Sequence, residues 1–425
     1  MSNVLKLKIM NSLKLLILCL AFSTFSEVSG QITAQWRGPG RDGHYPCTGL
    51  LRSWPENGPT QIMTLTGVGK GYSQPVVYEN KIYITGMKNE TTDVLSVFDM
   101  TGKRLWEKEY GPAWDRSYPE TRSTPTIENG KVYLVGGQGM VSCLDAQTGA
   151  IIWQKDANIR YSGAPHRWGV SESVLIAGDA AIYTTGGEET SVIAINKNDG
   201  SLLWKSKSLG GERAYASPLM IERGGLRIIL AQTANHLIGL NADNGEILWD
   251  YDMLPLHRGQ QGSGAHNNTP LYKDGEIFVT NGYDRQAVMF SLSEDGRSID
   301  VKWKNDVLDV HHGGVVLVDG NIYGANWLNN SKGNWASVRW SDGHTNWETE
   351  WHTKGSVIYA DGMLYIYEER SGNVGLVRPG PEKFELVSTF RMTDGDGPHW
   401  AHPAIWNGNL YIRHGEVVKV YNIRR

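Results

Sequence analysis

One strand-turn-strand pattern recurs along most of this chain, and it constrains the fold more than any other feature. Its first half is a short apolar strand, a Gly, Asn or Asp turn and a second strand carrying Ile/Val-Tyr or a close variant. PVVYENKIYITG from Pro75, PTIENGKVYLVGG from Pro125 and PLYKDGEIFVTNG from Pro270 are examples. Its second half is an acidic or amide residue, a Gly turn and a Trp, as in DAQTGAIIW from Asp145, NKNDGSLLW from Asn196 and NADNGEILW from Asn241. Alignment on the first turn gives eight starts, near Pro75, Pro125, Ser173, Pro218, Pro270, Val315, Val357 and Pro403, spaced by 42 to 52 residues. Four short strands per repeat at that period specify the blades of a β-propeller. The period-2 patterning excludes a helical solenoid. The expected fold is all-β: a single domain over residues 31–425, an eight-bladed propeller of four-stranded antiparallel blades.

The eighth repeat has room for three strands before Arg425. Its fourth strand must come from the start of the domain, and Ile62 to Leu65 fits. Such closure ties the two ends together and removes the sheet edge that an open eighth blade would present. Trp106, Trp153, Trp204, Trp249, Trp303 and Trp347 occupy the repeat's Trp position, five of them four residues after the turn Gly and Trp303 seven after Gly296. These six read as structural wedges between blades. Cys143 falls where other repeats have Ala194, Gly239 and Ser337, which suits a small buried residue.

Residues 1–30 read as an export signal: Lys6, Lys8 and Lys14, then an apolar run from Leu15 to Phe22, then Val28-Ser29-Gly30 as a cleavage site. Leu18 before Cys19 is not the small residue that lipidation favours. The expectation is a periplasmic or secreted protein cleaved after Gly30, with no membrane-spanning segment beyond it. Without those 30 residues the net charge moves from −4 to −6, which disfavours a nucleic-acid partner. Export permits a disulfide between Cys47 and Cys143, and two unpaired thiols fit equally well. A monomer is expected.

In a propeller, loops joining one blade's outer strand to the next blade's inner strand gather on one face around the axis, where ligand sites lie. Here those loops hold eight of the twelve His: His166, His257, His266, His311, His312, His352, His399 and His402. His266, His311 and His399 each precede a blade start by four residues, with His352 one residue off that register. Equivalent positions would line one arc of the axial funnel, and those first three are the candidate catalytic groups. Arg122, Arg167, Arg213, Arg258, Lys354, Trp168 and Trp400 share the loops, with Glu172 and Asn267 near strand starts. The mixture suits a polar anionic or carbohydrate-like ligand: Arg for carboxylates, Trp for ring faces, His for proton transfer. No metal site is assigned. His311 and His312 are sequential and would diverge on an extended chain. Asp394-Gly395-Asp396-Gly397 reads as a turn, and Gly259 to Gly264 does not open a helix as a dinucleotide loop would.

The acidic-x-x-Thr-Gly-x-x-x-Trp element at Asp145–Trp153 resembles the PQQ-type, or quinoprotein-like, propeller repeat. The likeness is strong in blades one to five. It is weaker at RWSDGHTNW from Arg339 and at RPGPEKFEL from Arg378. WRGPGRDG from Trp36 resembles the opening segment of exported bacterial propellers of this type. The resemblance implies one of two things: a dehydrogenase of alcohols or sugars holding PQQ and Ca²⁺ on the axis, or a BamB-like envelope scaffold with a protein partner and no cofactor. The chain has neither a Cys-Cys pair nor a Cys-x-x-Cys-His haem motif, both found in many alcohol-oxidising members. A third reading, from the loop residues, is a PQQ-independent polysaccharide lyase or hydrolase using a His/Tyr/Arg cluster.

Overall fold

The computed structural model describes residues 33–258 and 265–425. The export-signal reading and the Gly259–Gly264 run lie outside those residues. Eight four-stranded antiparallel sheets follow one another in sequence order. Blade one is Val76–Tyr78, Lys81–Lys88, Thr92–Asp99 and Arg104–Pro112. In blade eight, Ala404–Trp406, Asn409–His414 and Val417–Asn422 are joined by Thr60–Leu65, which pairs antiparallel with the last strand, Leu65 opposite Val418. The closing strand thus starts two residues before the expected Ile62.

Local chemistry sets the hairpins. Asn129-Gly130, Asp274-Gly275, Asp319-Gly320, Asp361-Gly362 and Asn407-Gly408 all have positive φ at both positions. That is the two-residue turn whose twist matches the flanking strands, and Asn/Asp-Gly adopts it most readily.

The core is distributed around the ring. Tyr83, Leu95 and Val97 of blade one pack on Ile127, Val132 and Leu134 of blade two. Blade two meets blade three through Tyr133, Cys143, Tyr183 and Ile193, and the pattern continues to a cluster joining blades seven, eight and one. No blade has a core of its own, which is why the closing strand matters. The repeat Trp residues sit at these junctions. Trp153, Trp204, Trp249, Trp303 and Trp347 donate from Nε1 to Lys197, Ala242, Gly296, Trp340 and Gly380 carbonyls of the following blade, at 2.9 to 3.2 Å. Trp106 packs under the turn Gly149 of blade two. Cys47 and Cys143 are free thiols in separate clusters. Burial pushes the Cys143 thiol up to about 12, so it is inert. Among the described residues, no helix is long and apolar enough to cross a membrane.

Candidate functional site: an aromatic axial cavity on an arginine plug

The segment Ala34–Tyr45 runs from blade two, where Ala34 bridges Ile127, to blade seven, where His44 bridges Tyr359. It crosses the central channel, and its two arginines reach opposite walls. Arg41 donates to the Ser173 and Pro218 carbonyls of blades three and four, at 3.1 and 3.0 Å. Arg37 donates to the Val315 and Val357 carbonyls of blades six and seven, at 2.6 and 3.1 Å. Inner strands near a propeller axis have carbonyls that lack sheet partners, and each guanidinium answers several at once. Burial lowers Arg37 to about 10 and Arg41 to about 9, so both stay cationic at neutral pH. Arg37 also donates to His402 Nδ1 at 3.0 Å.

Above this plug lies a cavity of about 600 Å³. Trp36 lies 4.4 Å from the His402 ring, and both line it. A closed circuit of rings forms the wall. Trp400 lies 6.1 Å from Tyr118, Tyr118 6.4 Å from Trp168, and Trp168 6.3 Å from Tyr283. Tyr283 meets His311 at 4.8 Å, His311 meets His312 at 4.3 Å, and His312 returns to Trp400 at 5.3 Å. Tyr72 and Tyr215 back this belt. Arg167 is exposed, its guanidinium 4.3 Å above the Trp168 ring. Arg122, Asn267, Asn330 and Ser331 complete the polar lining. A separate hollow of about 670 Å³ between blades six and seven is lined mainly by exposed hairpin residues such as Asp319, His344 and Glu382, away from the axis.

The predicted arc of equivalent histidines is corrected. Of His266, His311, His352 and His399, only His311 faces the cavity. His266 turns away from the cavity, between the Ala234 carbonyl of blade four at 2.9 Å and Arg285 of blade five at 2.7 Å. His399 turns back to the Tyr367 hydroxyl at 2.5 Å and stacks on His414. His352 is exposed in a turn with φ of 53° beside Trp351. Sequence register places the Cα atoms, and local partners then decide where each ring points.

Other predicted residues divide between lining and scaffold. Arg122, Arg167, Trp168, Asn267, His312, Trp400 and His402 line the cavity with His311. Arg122 spends its donors on the Trp168 and Tyr118 carbonyls, so it holds the wall. Glu172 and Arg213 form a fully buried pair at 2.6 Å behind the wall. His166 bonds the Tyr215 hydroxyl and lies 3.4 Å from Glu212. His257 accepts from Arg285 Nε at 2.5 Å, and Arg258 pairs with Asp284 and Asp309 at 3.0 and 3.2 Å. Lys354 is buried against Glu369 Oε1 at 2.7 Å and the Asn329 and Asn330 carbonyls.

The expected divergence of His311 and His312 is also corrected. In strand Val310–Val318, Val310 faces Asn326 and Val315 faces Gly324, so the chain bulges through the histidines. Gly314, at φ of 69°, helps the backbone turn. Both rings therefore face the channel. Burial holds His312 down at about 3 and His311 well below the usual imidazole range, so both are neutral at pH 7. Neutral rings of that kind suit acceptance and coordination better than proton transfer near pH 7. Beside them Glu369, raised to about 6 by burial despite Lys354, places an oxygen within 4.8 Å of both.

Sequence reasoning missed Trp36, Tyr72, Tyr118, Tyr215 and Tyr283. Tyr118 and Tyr215 stand in the loops already chosen, but His and Arg drew the weight. Tyr283, Asn330 and Ser331 come from loops between second and third strands, which open on the same face.

A family model described as outer membrane protein assembly factor BamB matches residues 90–349. The chain belongs to this family. Among its curated relatives, BamB of Yersinia pestis is 23% identical over 327 residues, covering 74% of this chain and 76% of that one. The quinoprotein alcohol dehydrogenase PedH of Pseudomonas putida is 28% identical over 214 residues, covering 48% of this chain and 33% of the dehydrogenase. The chain thus matches only a third of that enzyme's length. The crystal structure of BamB from Moraxella catarrhalis superposes with a TM-score of 0.62 at 15% identity, covering 86% of this chain and 99% of that one. A quinohemoprotein alcohol dehydrogenase from Pseudomonas putida HK5 gives 0.61 at 12% identity, covering 93% and 80%. At those identities the superpositions establish the fold. The same architecture is shared by an assembly factor and a dehydrogenase, so the fold alone does not assign this chain a function.

Proposed function

We propose that this protein is an envelope propeller that binds a carbohydrate-like ligand bearing a carboxylate in its axial cavity. The observation that carries this reading is the closed circuit of aromatic and imidazole rings around a polar-lined cavity of about 600 Å³, with Arg167 exposed above Trp168. Sugar rings present apolar C–H faces that pack on Trp and Tyr, and their hydroxyls need the kind of polar atoms that Asn267, Asn330 and Ser331 supply. Arg167 makes no hydrogen bond among the described residues and offers its fork to an acid. The plug gives the cavity a rigid floor, which limits the ordering cost of binding.

A Ca²⁺-PQQ centre fits these residues poorly. Ca²⁺ takes six to eight oxygen ligands, with carboxylates prominent. Among the described residues lining the cavity there is no Asp or Glu. The adjoining Glu369 has one oxygen on Lys354 and faces two imidazole rings. The BamB-like reading, an envelope scaffold recognising another protein, is the rival that family membership supports.

Calorimetric titration with oligosaccharides of uronic acids and their neutral counterparts tests the proposal. Saturable binding of the acidic set is expected, about tenfold weaker for Arg167→Ala. Binding that is equal for both sets and unchanged in Arg167→Ala removes the acidic-sugar assignment. No binding of either leaves the scaffold reading ahead.

A further inference from the structure

We propose that His311, His312 and Glu369 form a binding site for a divalent transition metal, Zn²⁺ foremost, with an open coordination position facing the axial cavity. One donor atom from each of the three lies within 4.8 Å of the other two. His312 Nε2 and Glu369 Oε2 are 3.3 Å apart. Two ligands of a tetrahedral zinc with bonds of 2.0 to 2.1 Å stand about 3.3 Å from one another.

The strongest sign is what these groups leave unmade. His311 Nδ1, His312 Nε2 and Glu369 Oε2 are all buried, and none has a hydrogen-bond partner. Unpaired polar atoms on three neighbouring groups are costly unless something fills the space between them. The other atoms of His311 and Glu369 are engaged in the manner of metal ligands. His311 Nε2 pairs with the Tyr283 hydroxyl at 2.8 Å, which leaves Nδ1 as the donor. Glu369 Oε1 takes Lys354 at 2.7 Å, which fixes the carboxylate and leaves Oε2. Lys354 itself is tied to the Asn329 and Asn330 carbonyls, so its charge is answered by oxygen on three sides.

Two imidazoles and one carboxylate favour Zn²⁺, Cu²⁺ or Ni²⁺ over Ca²⁺ or Mg²⁺. Three protein ligands with His311 and His312 on the cavity wall leave a fourth position for an oxygen donor from solvent or a bound molecule. The sugar reading does not need this metal, and the metal does not need the sugar.

Protein stripped with a chelator and titrated with Co²⁺ alone, its visible absorption followed and Zn²⁺ then competing, tests the site without any carbohydrate. One saturable Co²⁺ band displaced by Zn²⁺ is expected. His312→Gln and Glu369→Gln should abolish it, and Tyr283→Phe should weaken it about tenfold. Absence of stoichiometric binding, or binding unchanged in both variants, overturns the proposal. Anomalous scattering at the zinc edge from soaked wild-type crystals decides the matter if a variant fails to fold. A peak between the three residues supports the site, and a peak elsewhere or none refutes it.

Discussion

Arg37, on the segment that crosses the channel, donates from Nη1 to His402 Nδ1 at 3.0 Å, while His402 Nε2 lies 2.9 Å from the His312 carbonyl. The plug and the cavity floor are therefore one unit. Replacing Arg37 with Met strands the Val315 and Val357 carbonyls in a buried place, at about 1–3 kcal/mol per unsatisfied group. Arg37→Met should cost about 3 kcal/mol or more in chemical denaturation. Arg37→Lys should recover little of it, because a point charge cannot serve carbonyls of two blades at once.

The two classes of Trp should separate in mutagenesis. Trp204 is buried between blades and donates to Ala242. Trp204→Ala should cost roughly 3–5 kcal/mol. Trp400 is half-buried on the cavity wall, and Trp400→Ala should shift the melting temperature far less while removing most ligand affinity. Calorimetry of unfolding and of binding on both variants checks the contrast. Equal stability losses would mean that Trp400 is also a wedge.

Gly245 has φ of 75°, and a Cβ there would run into the Trp204 ring. Gly245→Ala is expected to destabilise by more than about 1 kcal/mol, since strain and overlap act together. A neutral result in a denaturant titration would show that the blade junction yields easily.

Acid should unfold this protein early. His399 is held at about 3 and His166 at about 4, both chiefly by burial. Their unfolded value is about 6.5, so the unfolded chain binds more protons below that pH. The contribution of the two is full above pH 6.5 and is lost as pH falls toward 4. Each can remove up to roughly 1.4 kcal/mol per pH unit in that window. The melting temperature should be flat from pH 7 to 8 and fall below about 6, and His399→Gln should flatten the descent. An unchanged slope would show that His399 is solvated.

The ring of blades was readable because most blades repeat the same turn and wedge chemistry, and because Ile62 to Leu65 fitted as the strand that closes it. The site was less readable. His266, His311 and His399 share a register, but Arg285, a bulge and Tyr367 send their rings three different ways. Arg37 and Arg41 carry no repeat signature, since they bind backbone carbonyls that any sequence supplies. Glu369 lies 57 residues beyond His312 on the next blade, a distance only the ring geometry removes.

Calorimetric titration of wild-type protein and Trp168→Ala with one acidic oligosaccharide shows whether the aromatic belt binds a sugar. Trp168 joins the belt between Tyr118 and Tyr283 and lies beneath Arg167. Saturable 1:1 binding to wild type is expected, with a loss of at least about tenfold in the variant while the fold stays intact. Equal affinity in both proteins would contradict it.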